Sequence, residues 1–351
     1  MNILYLGHYR ENTGLGISSL RFVHGLKQKY ENLAIRPLYE FRDKRLHAIE
    51  DIEELEKKSF NKYDCVIQHT LPTLLSYDKN MGKNIGVVNI PTINIAQSVV
   101  PDYLNLMDEI YVRSTYSYNN IEKLINNKCK VVYEPFDEVV DDTDAKRTGT
   151  FKFFATGTLE DRYNLKKIVM AFLSEFSTEN LVELILHIDG DVRKSANMVH
   201  QVYDRLRIPI TNENKVTILN EQKTEKNQKT ILKNIDCSIV LDKADDSGIV
   251  SIQSLLYNNI VITQDRSASC DFVNEDNGFI VDSYEIGVED LSNNHDNSIY
   301  SIYESYYDAD IGSLKTCMRN ACTLTSSEKR LKQLNIDKSK FSYKTFINGL
   351  P

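Results

Sequence analysis

Residues 235–263 (IDCSIVLDKADDSGIVSIQSLLYNNIVIT) constrain the fold of this chain more than any other stretch. The apolar, β-rich runs at 237–241 and 260–263 are bounded by polar turn residues, the pattern of a buried strand. Between them Ile249, Ile252, Leu255 and Leu256 recur at helical spacing. Two strands joined through a helix lie parallel in one sheet. The loop Asp245-Asp246-Ser247-Gly248 leads into the helix. Ser247 is a natural N-cap there, and Gly248 lets a ligand approach the backbone. The N–H groups of Gly248, Ile249 and Val250 would then face outward at the positive end of the helix, a setting that suits a phosphate.

The same alternation runs along the chain. Strand patterns at 2–6, 33–39, 64–69, 85–90, 108–114 and 130–133 are interleaved with helical ones at 17–26, 47–58 and 116–125. Residues 138–150 (EVVDDTDAKRTGT) lose the apolar period and read as a linker. Strand patterns resume at 151–156, 182–188 and 215–219, with helices at 165–176 and 199–207. The expected fold class is therefore α/β, with two Rossmann-like, doubly wound domains facing a cleft. The expected boundaries are 1–140, a linker at 141–150, a second domain at 151–337, and a C-terminal helix at 338–351 packing back on the first domain. A chain of 351 residues suits two such domains. Residues 293–307, rich in Asn, Asp and Tyr, read as a polar surface region.

At 41% hydrophobic and 26% charged residues, the composition is that of a soluble globular protein. No apolar run approaches membrane-spanning length and the start lacks a signal-peptide pattern, so a cytoplasmic location is expected. The net charge of −8 lies mostly behind residue 140, and the totals give no basic footprint for nucleic acid. Arg42, Lys44 and Arg45 form only a local patch. The six cysteines show no paired spacing, which speaks against a metal site or a disulfide framework; Cys65 and Cys237 fall in apolar strand patterns as small buried hydrophobes.

Residues 7–16 (GHYRENTGLG) form a glycine-bearing loop between the first strand and its helix, again at a ligand-facing corner. Gly14-x-Gly16 lacks the third glycine of a dinucleotide fingerprint, which leaves Glu40 weak as a ribose ligand for a nicotinamide cofactor. Asp189-Gly190-Asp191 has a metal-binding spacing but sits where a turn is the better reading.

Several segments in order resemble the retaining glycosyltransferases of the GT-B fold, in particular the family-4-type group (glycosyl transferases group 1). They are the Gly14/Gly16 loop, MDEIYVRS at 107–114, GTLEDRYNL at 157–165 running on to Ala171-Phe172, the segment from Asp245 to Thr263, and FSYK at 341–344. The resemblance spans nearly the whole chain. It implies transfer of a sugar, with retention, from a nucleoside diphosphate sugar to an acceptor hydroxyl, with a surface or cell-wall glycan as the acceptor class. Two other readings follow from it: an inactive relative acting as a binding or chaperone partner, and a transferase modifying a nucleobase in viral DNA. It implies no metal and no cofactor beyond the nucleotide-sugar co-substrate.

The family's two glutamates, eight positions apart, fall on Asp245 and Gln253. The first would face the donor sugar hydroxyls and the second the ribose, where Gln253 keeps an acceptor oxygen without the charge. The family's diphosphate ligands fall on Thr158 and Tyr163, so its lysine is absent; Arg162 beside it would substitute as a phosphate fork. Lys166 and Lys167 read as a solvated helix face. The implied catalytic pair is Asp245 and Arg162; donor binding falls to Gly14, Gly16, Thr158, Arg162, Ser247, Gly248, Ile249, Val250 and Gln253. His8 and His69, at strand ends of the first domain, are the acceptor-side candidates.

Overall fold

The computed structural model describes residues 1–39, 52–126, 128–136, 149–209, 215–220, 225–288 and 301–351, without the side chains of 225 and 226. Contacts divide the chain into two compact units: Met1–Glu138 with Ile299–Glu304 and Ser339–Pro351, and Val139–Ser298 with Ser305–Lys338.

The first unit comprises β1 (Ile3–Gly7), α1 (Gly14–Lys29), β2 (Leu33–Pro37), α2 (Glu53–Lys57), β3 (Cys65–His69), β4 (Lys83–Val87), α3 (Val100–Leu104), β5 (Glu109–Val112), α4 (Thr115–Ile121) and β6 (Lys128–Val131). Its six strands are parallel in the order β2-β1-β3-β4-β5-β6. The chain moves outward from β1 to β2, then returns to the other side of β1 for β3. The carboxyl ends of β1 and β3 therefore bracket a topological switch point, where open α/β sheets bind ligands.

The second unit contains β7 (Phe151–Gly157), α5 (Leu165–Phe176), β8 (Val182–Ile188), α6 (Val192–Leu206), β9 (Val216–Leu219), α7 (Glu225–Lys233), β10 (Cys237–Val240), α8 (Ile249–Leu256), β11 (Ile260–Gln264), β12 (Phe279–Val281), β13 (Ser283–Gly287), β14 (Ser305–Ala309), α9 (Ile311–Thr323) and α10 (Ser326–Leu334). Its parallel sheet runs β12-β11-β10-β7-β8-β9, and β13 pairs antiparallel with β14. Here the switch point lies between β7 and β10. The face Leu165, Ile168, Val169, Phe172, Phe176 of α5 repeats at helical spacing and packs on Phe153, Leu184 and Leu186. Burying each of these large side chains contributes about 1.5–3 kcal/mol, enough to hold the strand ends in register.

The last helix, α11 (Tyr343–Gly349), belongs to the first unit. Phe346 packs edge-on against Phe22 of α1 at 4.7 Å, and any side chain at Gly25 would collide with the Phe346 ring. Lys29 Nζ donates to the carbonyls of Ile347 and Leu350, adding to the Leu350 N–H that Ile347 O accepts at the end of α11.

Several expectations are corrected. The 199–207 helix starts at Val192, because Asp191 accepts from the N–H groups of Arg193 and Lys194 and caps it. That cap also accounts for the Asp189-Gly190-Asp191 spacing. The expected strand 85–90 is β4 at Lys83–Val87, and the expected helix 116–125 ends at Ile121. Residues 305–309 form β14 with Tyr306 buried, so they are not a polar surface region. Of the 47–58 helix only Glu53–Lys57 is seen; residues 47–51, Glu40, the Arg42-Lys44-Arg45 patch and nearly all of the linker lie outside the described residues. All six cysteines are free, with Cys65 and Cys237 buried in β3 and β10. Among the described residues, no helix is long and apolar enough to cross a membrane.

Candidate active site

The switch point of the second unit is lined by the loops after β7 and β10, which are tied to each other. Asn164, in the left-handed region at φ 56°, donates from Nδ2 to Leu241 O at 2.9 Å. The Lys243 N–H donates to Arg162 O at 2.9 Å. Thr158 Oγ1 accepts from the Glu160 N–H at 3.3 Å and shapes the turn. Arg162 lies over the Tyr163 ring at 4.6 Å, donates to its hydroxyl at 2.6 Å, and has Glu160 3.3 Å from Nε. A methyl group at Gly157 would stand 2.7 Å from the Tyr163 ring. Tyrosine at the position of the absent lysine therefore packs down on β7 and carries Arg162 with it.

The loop before α8 differs from the expectation. Its N-cap is Gly248, at φ 66°, with no side-chain cap, rather than Ser247. A side chain at Gly248 would press on Phe272, 2.9 Å from its Cβ, so both the backbone and the packing ask for glycine. The Gly248 N–H is not free either: it donates to Asp245 Oδ1 at 2.8 Å. Asp245 Oδ2 accepts from the Ser269 hydroxyl at 2.6 Å and from its N–H at 3.2 Å. Burial pushes the Asp245 carboxyl up and these hydrogen bonds pull it back. Among the described residues, the N–H groups of Ile249 and Val250 have no hydrogen-bond partner in the chain, and they open the helix as the sequence reading requires. Gln253, one turn on, donates to Gln228 of α7 at 3.3 Å.

Thr158 and Arg162 thus lie on the loop after β7, and Asp245 and 247–250 on the loop after β10, at the carboxyl ends of two adjacent strands. The sequence reading missed three neighbours. Asp242, whose carboxyl burial pushes up while Arg162 draws it down, lies two residues past β10. Lys243 is buried rather than a loop-surface charge, 3.6 Å from Asp308 Oδ2. Lys167 is no solvated helix residue, since its Nζ lies 2.6 Å from Asp308 Oδ1 and donates to Ala309 O at 2.8 Å. Lys166 is exposed. The β-type sequence around Asp308 was the one available signal of these partners.

In the first unit, Thr13 Oγ1 caps α1 by accepting from the Gly16 N–H at 3.0 Å, so that N–H is occupied. A side chain at Gly16 would collide with Glu11 O, whereas Gly14 faces open space. His8 is enclosed, with Nδ1 3.2 Å from Glu11 Oε2 and Nε2 3.0 Å from Thr70 Oγ1. Burial lowers its pKa against the opposing pull of Glu11. His69 is fully buried, and Arg113 Nη1 lies 3.2 Å from its Nε2. Arginine only donates, so Nε2 accepts and Nδ1–H is left to donate to Tyr5 Oη at 2.9 Å. Arg113 goes on to donate to Ser18 Oγ and to Glu134. Both histidines are therefore core residues with both ring nitrogens engaged, and neither ring is open to an acceptor.

Among the described residues, no group of three or more His, Cys, Asp or Glu side chains is placed to hold a metal ion. No protein-family profile matches the chain, and no curated protein matches it by sequence. Its fold does have solved counterparts. Anabaena HepE in complex with UDP superposes with a TM-score of 0.70 at 14% identity, covering 99% of this chain and 98% of that one. OtsA gives 0.65 at 9% identity, covering 99% and 98%. A UDP-forming trehalose-phosphate synthase from Burkholderia xenovorans gives 0.60 at 8% identity, covering 81% and 72%. At such identities the likeness speaks to architecture: this chain has the GT-B fold class, two Rossmann-like α/β domains each built on a parallel six-stranded sheet.

Proposed function

We propose that this chain is a metal-independent, retaining glycosyltransferase that moves a hexose or pentose from a nucleoside diphosphate sugar to an acceptor hydroxyl, with a surface or cell-wall glycan as the acceptor class. The observation that carries the reading is the placement of Arg162 and of the open Ile249 and Val250 N–H groups on the two loops that bracket the β7/β10 switch point, loops joined by the bond from the Lys243 N–H to Arg162 O. Departure of a nucleoside diphosphate leaves negative charge on its phosphates, and catalysis requires donors already aimed at that charge. The N-terminus of α8 supplies peptide dipoles and Arg162 a full charge. Asp245 takes a different part from the one the resemblance implies. Its oxygens hold the Gly248 N–H and Ser269, so it shapes the loop that presents the helix. Because HepE was solved with UDP-glucose, that sugar nucleotide is the first donor to try.

A thermal-shift screen against UDP-, GDP-, ADP- and CMP-sugars, followed by measurement of nucleotide release, tests the reading. A donor that raises the melting temperature and is turned over supports it. No response and no release with any donor would sink it. A second reading, a binding protein without turnover, draws on the saturated Asp245 carboxylate and on Arg162 lying over Tyr163. Tight donor binding with no release of nucleotide would favour that alternative.

A further inference from the structure

We propose that Ser269 and Ser251 are positioning residues of the candidate donor site, joined in a hydroxyl relay that keeps the Asp245 loop in the shape that presents the start of α8. The inference rests on the donor-binding reading above and names the side chains that hold that same site in place. Asp245 is gripped by the 3-10 turn Ala268–Asp271, which follows β11. The Ala268 N–H donates to Asp245 O at 3.1 Å, and the Ser269 N–H and hydroxyl donate to Asp245 Oδ2 at 3.2 and 2.6 Å. Ser251 Oγ lies 2.7 Å from Ser269 Oγ. A hydroxyl has one proton to give, and an ionised carboxylate only accepts. With the Ser269 proton given to Asp245, the Ser251 proton goes to Ser269 Oγ. The bonds therefore run one way, from Ser251 to Ser269 to Asp245 Oδ2, while Oδ1 takes the Gly248 N–H at 2.8 Å. Gly248 is the N-cap of α8 and Ser251 its third residue, so the relay leaves and rejoins the chain at one helix start.

This arrangement holds only while Asp245 is ionised. Both of its oxygens are in use as acceptors, and a proton on either would displace a donor already there. Burial favours that proton, and the hydrogen bonds oppose it, the Ser269 hydroxyl foremost. On the loop after β10, Asp242 adds a like charge, Asp246 is the next residue in sequence, and Arg162 and Lys243 act on Asp242. From the 268–271 turn, Cys270 brings a thiol that burial keeps protonated. Ser251 and Ser269 are fully buried, so water does not replace a bond lost between them.

Chemical denaturation of the full chain from pH 8 to pH 4.5 tests the relay without any ligand. Removing the Ser269 hydroxyl raises the Asp245 pKa further above its ordinary value. A carboxyl raised in the folded state withdraws stability as pH climbs through its folded value. The loss in Ser269→Ala should therefore be fullest at pH 8 and shrink toward pH 4.5. A hydrogen bond to a charged acceptor is about twice as strong as one to a neutral acceptor, so the loss should change about twofold over that range. Ser251→Ala, which spares both Ser269 bonds to Asp245, should show the same trend at smaller size, and it carries the test if Ser269→Ala does not fold. Ser254→Ala is the control: its buried hydroxyl, one turn along α8, contacts Ser238 Oγ at 2.7 Å, and its loss should not vary with pH. In Asp245→Asn the effect of Ser269→Ala should lose its pH dependence, although Asp242 can still titrate there. A loss as flat as the control's in both relay variants, or one whose pH dependence persists in Asp245→Asn, overturns the relay. Calorimetry at pH 8 with UDP, GDP, ADP and CDP then reads the positioning role. Ser269→Ala and Ser251→Ala should bind the preferred nucleotide at least about threefold more weakly, and Ser254→Ala within about twofold of the native chain. Native binding in both relay variants overturns that role and leaves the transferase reading standing. The expected pH dependence in a chain that binds none of the four nucleotides keeps the relay and sinks the donor reading instead.

Discussion

Asp245 and Arg162 stand on the loops after two neighbouring strands and should fail differently when removed. Asp245→Ala leaves the Gly248 N–H and the Ser269 donors without their acceptor inside the loop. Unpaired buried donors cost about 1–3 kcal/mol, so this variant should melt earlier and turn over more slowly together. Arg162 is partly exposed and its side-chain contacts with Glu160 and Tyr163 lie beside it in sequence, so Arg162→Ala should fold almost as well as the native chain. Its turnover with the preferred donor should fall at least about tenfold, roughly 1.4 kcal/mol of transition-state stabilisation. Paired melting curves and steady-state rates separate the two effects, and native turnover in Arg162→Ala would remove that residue from the site. Gly157 belongs with them. Gly157→Ala would force its methyl group to within 2.7 Å of the Tyr163 ring, an overpacking that typically costs 1–3 kcal/mol. Guanidinium denaturation reads that loss directly, and native stability would mean that the Tyr163 ring, and Arg162 upon it, is free to move.

At the scale of elements, the ends of β1, β3 and β5 in the first unit are joined by the chain Tyr5, His69, Arg113, Glu134 and Ser18, all buried. Burial, with Arg113 and then His8 adding to it, holds His69 well below its usual pKa of 6.5. His8 moves the same way, with Glu11 opposing. Both are neutral in the folded state at pH 7, while the unfolded chain takes up protons below about pH 6.5. Stability is therefore full above that pH and is lost as pH falls, by up to about 1.4 kcal/mol per pH unit for each histidine, until the folded form protonates too. Denaturation between pH 7.5 and 5.5 should show the fall, and His69→Gln should flatten it by about one proton whatever its absolute stability. An unchanged slope would mean that His69 is not the group that titrates. The sequence displayed the strands carrying this network because β-branched runs between polar turns need no partner to be recognised; α5 and β8 begin and end where their apolar periods do. It did not display the network itself. His69 and Arg113 are 44 positions apart, Asp245 and Ser269 24, and no local pattern announces a long-range hydrogen bond. The true start of α6 escaped the sequence for a related reason: its Asp191 cap is local, but the first turn is mostly polar and carries no apolar period to extend.

For the whole molecule, Thr158, Arg162, Asp245, Gln253 and 247–250 belong to one of the two units, while His8, His69 and the other two expected donor residues, Gly14 and Gly16, belong to the other. Each unit has its own parallel sheet and its own apolar core, so unfolding of the full chain need not be a single two-state step. A ligand that binds one folded unit stabilises that unit, by about 2.7 kcal/mol at a hundred times its dissociation constant. Donor binding should accordingly slow hydrogen exchange at 158–164 and 242–250, and at the first turn of α8. Cores of unit-one strands such as β3 and β5, whose amides are already bound in the sheet, should change little. Exchange mass spectrometry with and without the donor that shifts the melting temperature measures this segment by segment. Protection confined to the β1–α1 loop and the strand ends of the first unit would place the nucleotide there, and the switch point between β7 and β10 would lose its claim to the diphosphate.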